Sequence, residues 1–234
     1  MQSPDTALSA VDRHNLGDKV TDQLREAIVS GVLTPGQRLR ESDLSATLRV
    51  SRSPLREALN RLGSERLLTA RPYRGAVVAP MTLGDMEEVY SLRMSLEVLA
   101  VRLAIQRATP EDLVALTEVA ARSPLDAGPR RQGAVAELDV TFHDLIYRAA
   151  RHERLYHSWS LLRPHILRYL VWRNTINSDY QEIYGSEHGQ LVQAIAAGES
   201  GHAEAMISSH LEGAYRRLVD AYSAERASPE HAGR

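Results

Sequence analysis

Residues 41–62 read ESDLSATLRVSRSPLREALNRL and contain two short helical patterns separated by a turn. Leu44 and Leu48 lie four residues apart, which predicts a first short helix. A second helix follows, and Ser51 or Ser53 can cap it. Pro54 is suited to the first turn of this helix. Leu55, Leu59 and Leu62 give it an apolar stripe. Two helices this close together are typical of a helix-turn-helix.

The flanking segments add a helix before this pair and a hairpin after it. Apolar residues recur at helical spacing over residues 17–29, and Gly31 stands where that helix would end. After the second helix of the pair, residues 67–68 precede the turn-forming residues 71–75, and the β-prone residues 76–78 follow. This order is that of a winged helix-turn-helix, in which the last helix enters the major groove of DNA and the hairpin is the wing.

Charge is distributed unevenly along the chain. Residues 38–74 hold nine arginines against four acidic residues, a balance of +5, whereas the formal net charge of the whole chain is −2. A basic segment on a mildly acidic chain predicts nucleic acid as the partner of that segment alone. Arginines scattered on a solvated face would give the same charge balance. The positions of the arginines must therefore distinguish a DNA-binding surface from an ordinary solvated one. Donors suited to phosphates and to guanine edges lie at or near the first turn of the second helix, at Ser51, Arg52, Ser53 and Arg56.

The composition narrows the class of protein. The chain has 234 residues, 43% hydrophobic and 25% charged, as an ordinary globular protein has. It has no cysteine, which excludes a disulfide framework and a thiolate metal site. No apolar run approaches the ~18 residues of a membrane span. The opening up to His14 lacks the apolar core of a signal peptide. We therefore expect a cytoplasmic protein with no membrane partner.

Beyond Pro80 every pattern is helical. Thr82 and Asp85 predict a capping box that opens a long helix, with apolar positions at Val89, Leu92, Leu96, Leu99 and Leu103. Further helices are predicted from Thr109, and over about residues 134–150, 155–174, 186–197 and 200–224. We therefore predict a mainly α fold, with an N-terminal winged helix-turn-helix and a C-terminal all-α helical bundle. We predict a flexible segment at residues 1–14 and a DNA-binding domain at residues 15–80. The helical domain is predicted at residues 82–225, and a disordered tail at residues 226–234.

Three predicted helices of the bundle each carry a possible metal ligand on an apolar face. Asp139 and His143 lie four residues apart on one helix, while His188 and His210 lie on two others. A lone histidine on an apolar face is more often a hydrogen-bonded core residue. Burying three imidazoles and a carboxylate without compensation is costly, however, and a shared divalent cation satisfies them all. Zinc, nickel, manganese and iron all suit this set of ligands.

Two alternatives use the same four residues. Three histidines with an open metal position can support hydrolysis, although the sequence has no His-Glu-x-x-His run. The second alternative is a closed, purely structural metal site in a helical bundle that serves only to dimerise. An open site, unlike a closed one, can bind the carboxylate of a ligand.

Several stretches of the N-terminal part closely resemble the GntR family of bacterial regulators: residues 39–44, 50–59, 61–62 and 74–75. The helical remainder resembles the C-terminal (FCD) domain of the FadR-type subfamily. This resemblance implies that the chain binds DNA as a transcriptional regulator, with contacts from Ser51, Arg52, Ser53 and Arg56, and from Arg74 and Gly75 at the wing tip. The chain departs from the family at two positions. Arg49 stands where the family usually has glycine, and Ser42 stands at a contact position that is often arginine, with Arg40 nearby as a substitute.

The resemblance also bears on the helical domain. A large group of FadR-type domains has an aspartate four residues before a histidine and two further histidines on the last helices, and Asp139, His143, His188 and His210 match all four positions. Arg93 lies four residues before Glu97, so it can form an intrahelical ion pair on the surface. In the family this arginine often faces the effector cavity, where its fork suits a carboxylate.

From these features we expect one divalent transition metal per chain. A small organic acid is the expected effector, bound to the metal and to Arg93 through a carboxylate. We also expect a homodimer on a palindromic double-stranded DNA operator, because one recognition helix reads only a few base pairs. Release of DNA on effector binding, as in a repressor, is the commoner outcome in the resembling family.

Overall fold

The computed structural model describes four stretches of the chain, residues 14–71, 75–122, 131–176 and 180–227. Backbone contacts separate two units among these residues. The first holds the described residues up to Ile28 together with Thr34–Ala79, and the second holds Val29–Leu33 together with the described residues from Pro80 onward.

The first unit is a winged helix-turn-helix, as predicted. Its elements in chain order are α1 (His14–Val29), β1 (Arg38–Leu39), α2 (Glu41–Leu48), α3 (Arg52–Ser64), β2 (Leu68–Arg71) and β3 (Gly75–Val78). The strands form an antiparallel sheet in the order β1-β3-β2, with Leu39 opposite Ala76 and Leu68 opposite Val78. The predicted hairpin is therefore joined by a third strand.

Apolar side chains of α1 and α3 form the core of this unit. The leucine stripe of α3 is buried, and it lies with other buried residues at Val20, Leu24, Ile28, Leu67 and Val78. Two ion pairs join α3 and the turn after it to α1. Arg25 donates to both carboxylate oxygens of Glu65 at 2.9 and 2.7 Å, and Arg61 lies 2.5 Å from Asp18.

In the turn between α2 and α3, Arg49 adopts the left-handed backbone conformation that glycine usually provides. Arg49 has φ 54° and ψ 42°, and its backbone N–H caps α2 on the carbonyl of Ser45. The hydroxyl of Ser45 in turn donates to the carbonyl of Val50 at 2.6 Å. The arginine thus adopts the conformation that a glycine would take, at a cost of about 1–3 kcal/mol.

The second unit is an all-α bundle, also as predicted. Its helices are α4 (Leu83–Arg107), α5 (Pro110–Ala120), α6 (Arg131–Ala149), α7 (Glu153–Ile176), α8 (Tyr180–Ala196) and α9 (Ser200–Ala227). Thr82 caps α4 by accepting from the backbone N–H of Asp85, and Thr109 and Asp112 form a capping box at α5. Large buried side chains fill the core, among them Leu116, Phe142, Ile146, Trp159 and Ile166.

The buried face of α4 differs from the apolar stripe that the sequence suggests. Leu92 and Leu99 are 49% and 37% exposed, whereas Arg93 and Glu97 are 0% and 1% exposed. The physical reason is that the interior of this bundle is polar next to α4, because Glu97 meets His143 of α6 there.

Some predicted boundaries shift, and others fall outside the described residues. Helix α1 already begins at His14, and α9 continues to Ala227, so part of the predicted tail is helical. The rest of both predicted terminal segments, together with residues 123–130 of the predicted loop, lies outside the described residues. Among the residues that are described, no helix is long and apolar enough to cross a membrane.

Candidate functional site

A basic cavity of about 350 Å³ opens on the winged helix-turn-helix, between β1, the start of α2, α3 and the wing. Its lining contains three arginines and one carboxylate, with the residues Arg38, Leu39, Arg40, Glu41, Ser42, Arg52 and Gly75. Leu39 is buried, whereas the arginines before and after it are exposed. The two arginines therefore share the outward side of the chain, and the cavity suits an anion.

Four of the residues predicted to contact DNA line this cavity: Arg40, Ser42, Arg52 and Gly75. Ser51 and Ser53 are exposed at the start of α3 without lining it. Ser51 is the N-cap residue of α3, but its side chain makes no capping hydrogen bond, so its hydroxyl is not engaged by the helix end. Gly75 has φ 73°, a left-handed conformation that favours glycine at the wing. Arg74 lies outside the described residues.

Arg56, the remaining predicted DNA contact, is paired within the protein. Its Nε donates to Glu41 Oε2 at 2.9 Å, and the side chains of Arg56 and Glu41 are 61% and 41% exposed. The pair links the first residue of α2 to the second turn of α3. An exposed ion pair of this kind contributes little stability, so the guanidinium remains available to a stronger anion.

Helices α6, α8 and α9 bring the four predicted metal ligands together. One ligand atom from each of Asp139, His143, His188 and His210 lies within 4.8 Å of the others. The three imidazoles are buried, and their ring centroids are 4.9–5.6 Å apart. Asp139 lies 3.8 Å from His143 Nε2 and 3.5 Å from His188 Nε2. His143 Nε2 is fully buried and has no hydrogen-bond partner. Three imidazoles and one carboxylate converging on one point fit a divalent transition metal.

Two glutamates lie on the outer side of this cluster. Glu97 Oε2 is 2.5 Å from His143 Nδ1, and Glu187 Oε2 is 2.5 Å from His210 Nδ1. Burial by itself would raise the pKa of Glu97, but the charge of Arg93 and the hydrogen bonds from Arg93 and His143 outweigh it and lower this pKa to about 2. Burial lowers the pKa of His143, which favours the neutral imidazole that a metal requires.

The predicted ion pair between Arg93 and Glu97 is present, but it is buried instead of lying on the surface. Arg93 Nε donates to Glu97 Oε1 at 2.5 Å, while Arg93 Nη2 is buried without a hydrogen-bond partner. The surface alternative is therefore wrong, because this turn of α4 faces the polar interior of the bundle. The hydroxyls of Tyr90 and Tyr147 are likewise buried without partners. Burial raises the pKa of both phenols, so each keeps a proton that it can donate.

Three functional candidates did not come from the sequence: Arg38, Glu97 and Glu187. Arg38 could have been found, because Arg38-Leu39-Arg40 alternates in the way that a half-buried strand does. In the sequence, Glu97 stands out only as a possible ion-pair partner of Arg93. Its contact with His143 spans 46 residues, and no local pattern signals it. Glu187 stands beside His188 in the chain but contacts His210 on another helix, so the local sequence gives no indication of this pairing either.

Comparison with known proteins assigns both units. The family of bacterial regulatory proteins of the gntR type matches residues 16–78, and the FCD domain matches residues 88–213. The Nta operon transcriptional regulator of Aminobacter aminovorans is 29% identical over 192 residues, which cover 82% of this chain and 89% of that protein. A probable D-xylose utilization operon transcriptional repressor of Paenarthrobacter nicotinovorans is 29% identical over 214 residues, covering 88% and 90%.

A solved structure gives the same result. McbR/YncC of E. coli superimposes with a TM-score of 0.76 at 25% identity, covering 88% of this chain and 98% of that one. The curated relatives are transcriptional regulators, not enzymes, and the hydrolase alternative is set aside. With a winged helix-turn-helix and an FCD domain in one polypeptide, the chain belongs to the GntR family of transcriptional regulators.

Proposed function

We propose that this regulator is a homodimeric repressor whose affinity for DNA is controlled by a small organic acid bound beside a metal ion in the helical domain. The observation that carries this proposal is the convergence of Asp139, His143, His188 and His210 in the bundle interior. The buried Nε2 of His143 has no hydrogen-bond partner, and its lone pair could instead coordinate a metal. A bound divalent ion would provide a Lewis-acidic site for a carboxylate, and zinc, nickel, manganese and iron all suit the ligands.

Polar groups near this cluster support an anionic ligand. Arg93 keeps one buried guanidinium nitrogen unused, and Tyr90 and Tyr147 each keep a buried hydroxyl unused. Leaving such donors without partners costs about 1–3 kcal/mol each, so a ligand that accepts from them gains this energy. A carboxylate with further oxygens, as in a hydroxy, keto or sugar acid, is the simplest such acceptor.

The DNA-binding surface follows from the first unit. We assign phosphate contacts to the cavity that contains Arg38, Arg40 and Arg52, because arginine forks suit phosphate oxygens. Ser51, Ser53 and Arg56 face outward on α3, where a recognition helix reads base edges. Repression is favoured by the relatives that are themselves named as repressors, of the gluconate operon and of D-xylose utilization.

The homodimer is assigned to the exposed side of α4. This side runs from an acidic residue through small and apolar residues to an arginine, in the order Glu88, Ser91, Leu92, Ser95, Leu99 and Arg102. Leu92 and Leu99 lie on either side of Ser95 on this exposed side. Two antiparallel copies of α4 related by a two-fold axis at Ser95 would therefore pack the leucines of one copy against those of the other. Arg102 is paired with Glu204 of α9 within the same chain, so the leucines carry this assignment.

Elemental analysis of the purified regulator tests the metal. We expect close to one equivalent of a first-row divalent ion per chain. His143→Ala, His188→Ala and His210→Ala should each lose the ion and lower the melting temperature, because binding to the folded state alone stabilises it. His202→Ala, at an exposed position on α9, is the matched control and should keep the ion. Wild-type protein that holds no metal even after supplementation would refute the proposal.

A further inference from the structure

Two imidazoles of the cluster each have a carboxylate on the side away from it. We propose that Glu97 and Glu187 are positioning residues, which accept the Nδ1 protons of His143 and His210 and so hold each Nε2 toward a bound metal. This inference rests on the metal site of the proposed function and adds two residues from outside the ligand set.

Glu187 and His210 connect two helices. Glu187 lies on α8 and His210 on α9, and their 2.5 Å contact joins positions 23 residues apart. The two ring nitrogens of an imidazole point in different directions, so a ring whose Nδ1 faces Glu187 has its Nε2 free to face the cluster. Glu187 is about two-fifths exposed, so its removal leaves no buried charge behind.

Glu97 holds His143 in the same way but is itself fixed. Its Oε2 meets His143 Nδ1, and its Oε1 accepts from Arg93 Nε, both at 2.5 Å. All three side chains are buried. The chain Arg93–Glu97–His143 thus leaves one tautomer for the imidazole, with the proton on Nδ1 and the lone pair on Nε2. A buried carboxylate hydrogen-bonded to a ligating histidine fixes its orientation and increases its basicity, which strengthens metal binding.

Zinc affinity tests the positioning role. We would load metal-free protein with Zn²⁺ in competition with a chromophoric chelator, in the wild type, Glu187→Ala and Glu212→Ala. Glu212 is an exposed carboxylate on the same helix as His210, so its removal makes the same change in charge. We expect Glu187→Ala to lose roughly 10–100-fold in affinity and Glu212→Ala to bind as the wild type does. Equal zinc affinity in all three proteins would overturn the positioning role and leave the metal site intact. Absence of zinc binding in the wild type would instead refute the metal site itself.

A spectroscopic signature separates positioning from general loss of structure. Nitrogen-15 NMR of the histidine rings in metal-free protein, at mildly alkaline pH where imidazole is neutral, reports which nitrogen carries the proton. We expect His143 and His210 to be protonated on Nδ1 in the wild type. In Glu187→Ala, His210 alone should move toward the Nε2-protonated form, while His143 stays unchanged. A wild-type His210 protonated on Nε2 would overturn the proposal.

The role of Glu97 is tested with a double variant, because Glu97→Ala alone would leave the charge of Arg93 buried and unpaired. The double variant Arg93→Gln/Glu97→Gln removes both charges together. Its zinc affinity should fall with the metal ligands unchanged, and its His143 ring should lose the strict preference for the Nδ1 proton. Wild-type zinc affinity in a folded double variant would contradict the role of Glu97.

Discussion

The Nε of Arg56 lies 2.9 Å from Oε2 of Glu41, so an arginine of the recognition helix is held by the first residue of the helix before it. Arg56 is mostly exposed and Glu41 is about two-fifths exposed, and such a pair contributes only about 0.2–1 kcal/mol to stability. The pair therefore holds Arg56 only weakly, and in the proposed complex with DNA this guanidinium could leave Glu41 for a phosphate. It also places a negative charge on a surface that would face phosphates.

The first prediction concerns this pair. Glu41→Gln should raise the affinity for DNA of any sequence, because it removes a negative charge from the basic surface and releases Arg56. Discrimination between an operator and random DNA should fall, since a released side chain is less well oriented. Fluorescence anisotropy at fixed salt, with an operator selected from a random pool and with a scrambled duplex, measures both effects. Weaker binding to both duplexes would show that Glu41 itself contacts DNA favourably.

The second prediction concerns the basic cavity. Arg52→Ala should lower operator affinity by about 1–3 kcal/mol while the fold is retained, because Arg52 lines the cavity from the start of α3. Lys19→Ala makes the same change in charge at an exposed position on α1 that is not part of the cavity lining. Equal losses in the two variants would mean that only net charge matters.

The sequence predicts most of the first unit because its signals are local. The leucine spacing of α3, the serine before it and the turn residues of the wing each act within a few positions. The third strand, β1, has only two residues, so its pattern in the sequence is much weaker than that of α3. The four possible metal ligands could also be predicted from local patterns, because each lies on the apolar face of a predicted helix.

The interior of the second unit was less predictable, and α4 shows why. Its leucines at positions 92 and 99 favour one buried face, but Arg93 and Glu97 are buried instead. A charged pair enters a core only when partners on other helices compensate it, and here His143 lies 46 residues further along the chain. The partner of Glu187 is equally hard to predict. Glu187 precedes His188 in the sequence, but it contacts His210 on α9 instead.

The third prediction concerns the turn at Arg49. Its φ of 54° is unfavourable for any residue with a Cβ, so Arg49→Gly should stabilise the first unit. The gain should reach about 1 kcal/mol after allowing for the extra freedom of glycine in the unfolded chain. Arg49→Ala is the control, because it removes the same side chain and keeps the strain. Chemical denaturation followed by circular dichroism compares the three proteins. Equal stability of the glycine and alanine variants would contradict this explanation.

The fourth prediction concerns the dimer. The chain has no cysteine, so single cysteines report contacts cleanly. Ser95→Cys should form a disulfide-linked dimer under mild oxidation, because the proposed two-fold axis places both Ser95 side chains together. Thr117→Cys, exposed on α5, should not. Comparable cross-linking of the two variants on a non-reducing gel would place the dimer interface elsewhere. A monomeric mass in light scattering, with and without DNA, would remove the dimer altogether.

The last prediction concerns the effector and follows from the single guanidinium nitrogen that Arg93 leaves unused. A thermal-shift screen of hydroxy, keto and sugar acids should find a compound that stabilises the wild type. Arg93→Lys keeps a positive charge beside Glu97, so this variant should fold. A lysine has no second nitrogen to donate to a ligand, so the variant should be stabilised less by that compound. Chelator-treated wild-type protein should also respond less, because the carboxylate would lose its metal. The same compound should change operator affinity by about 1–3 kcal/mol, the usual range for coupling between two sites. Equal stabilisation of all three proteins would show that neither Arg93 nor the metal recognises the ligand, and a ligand that leaves operator affinity unchanged would not be the effector.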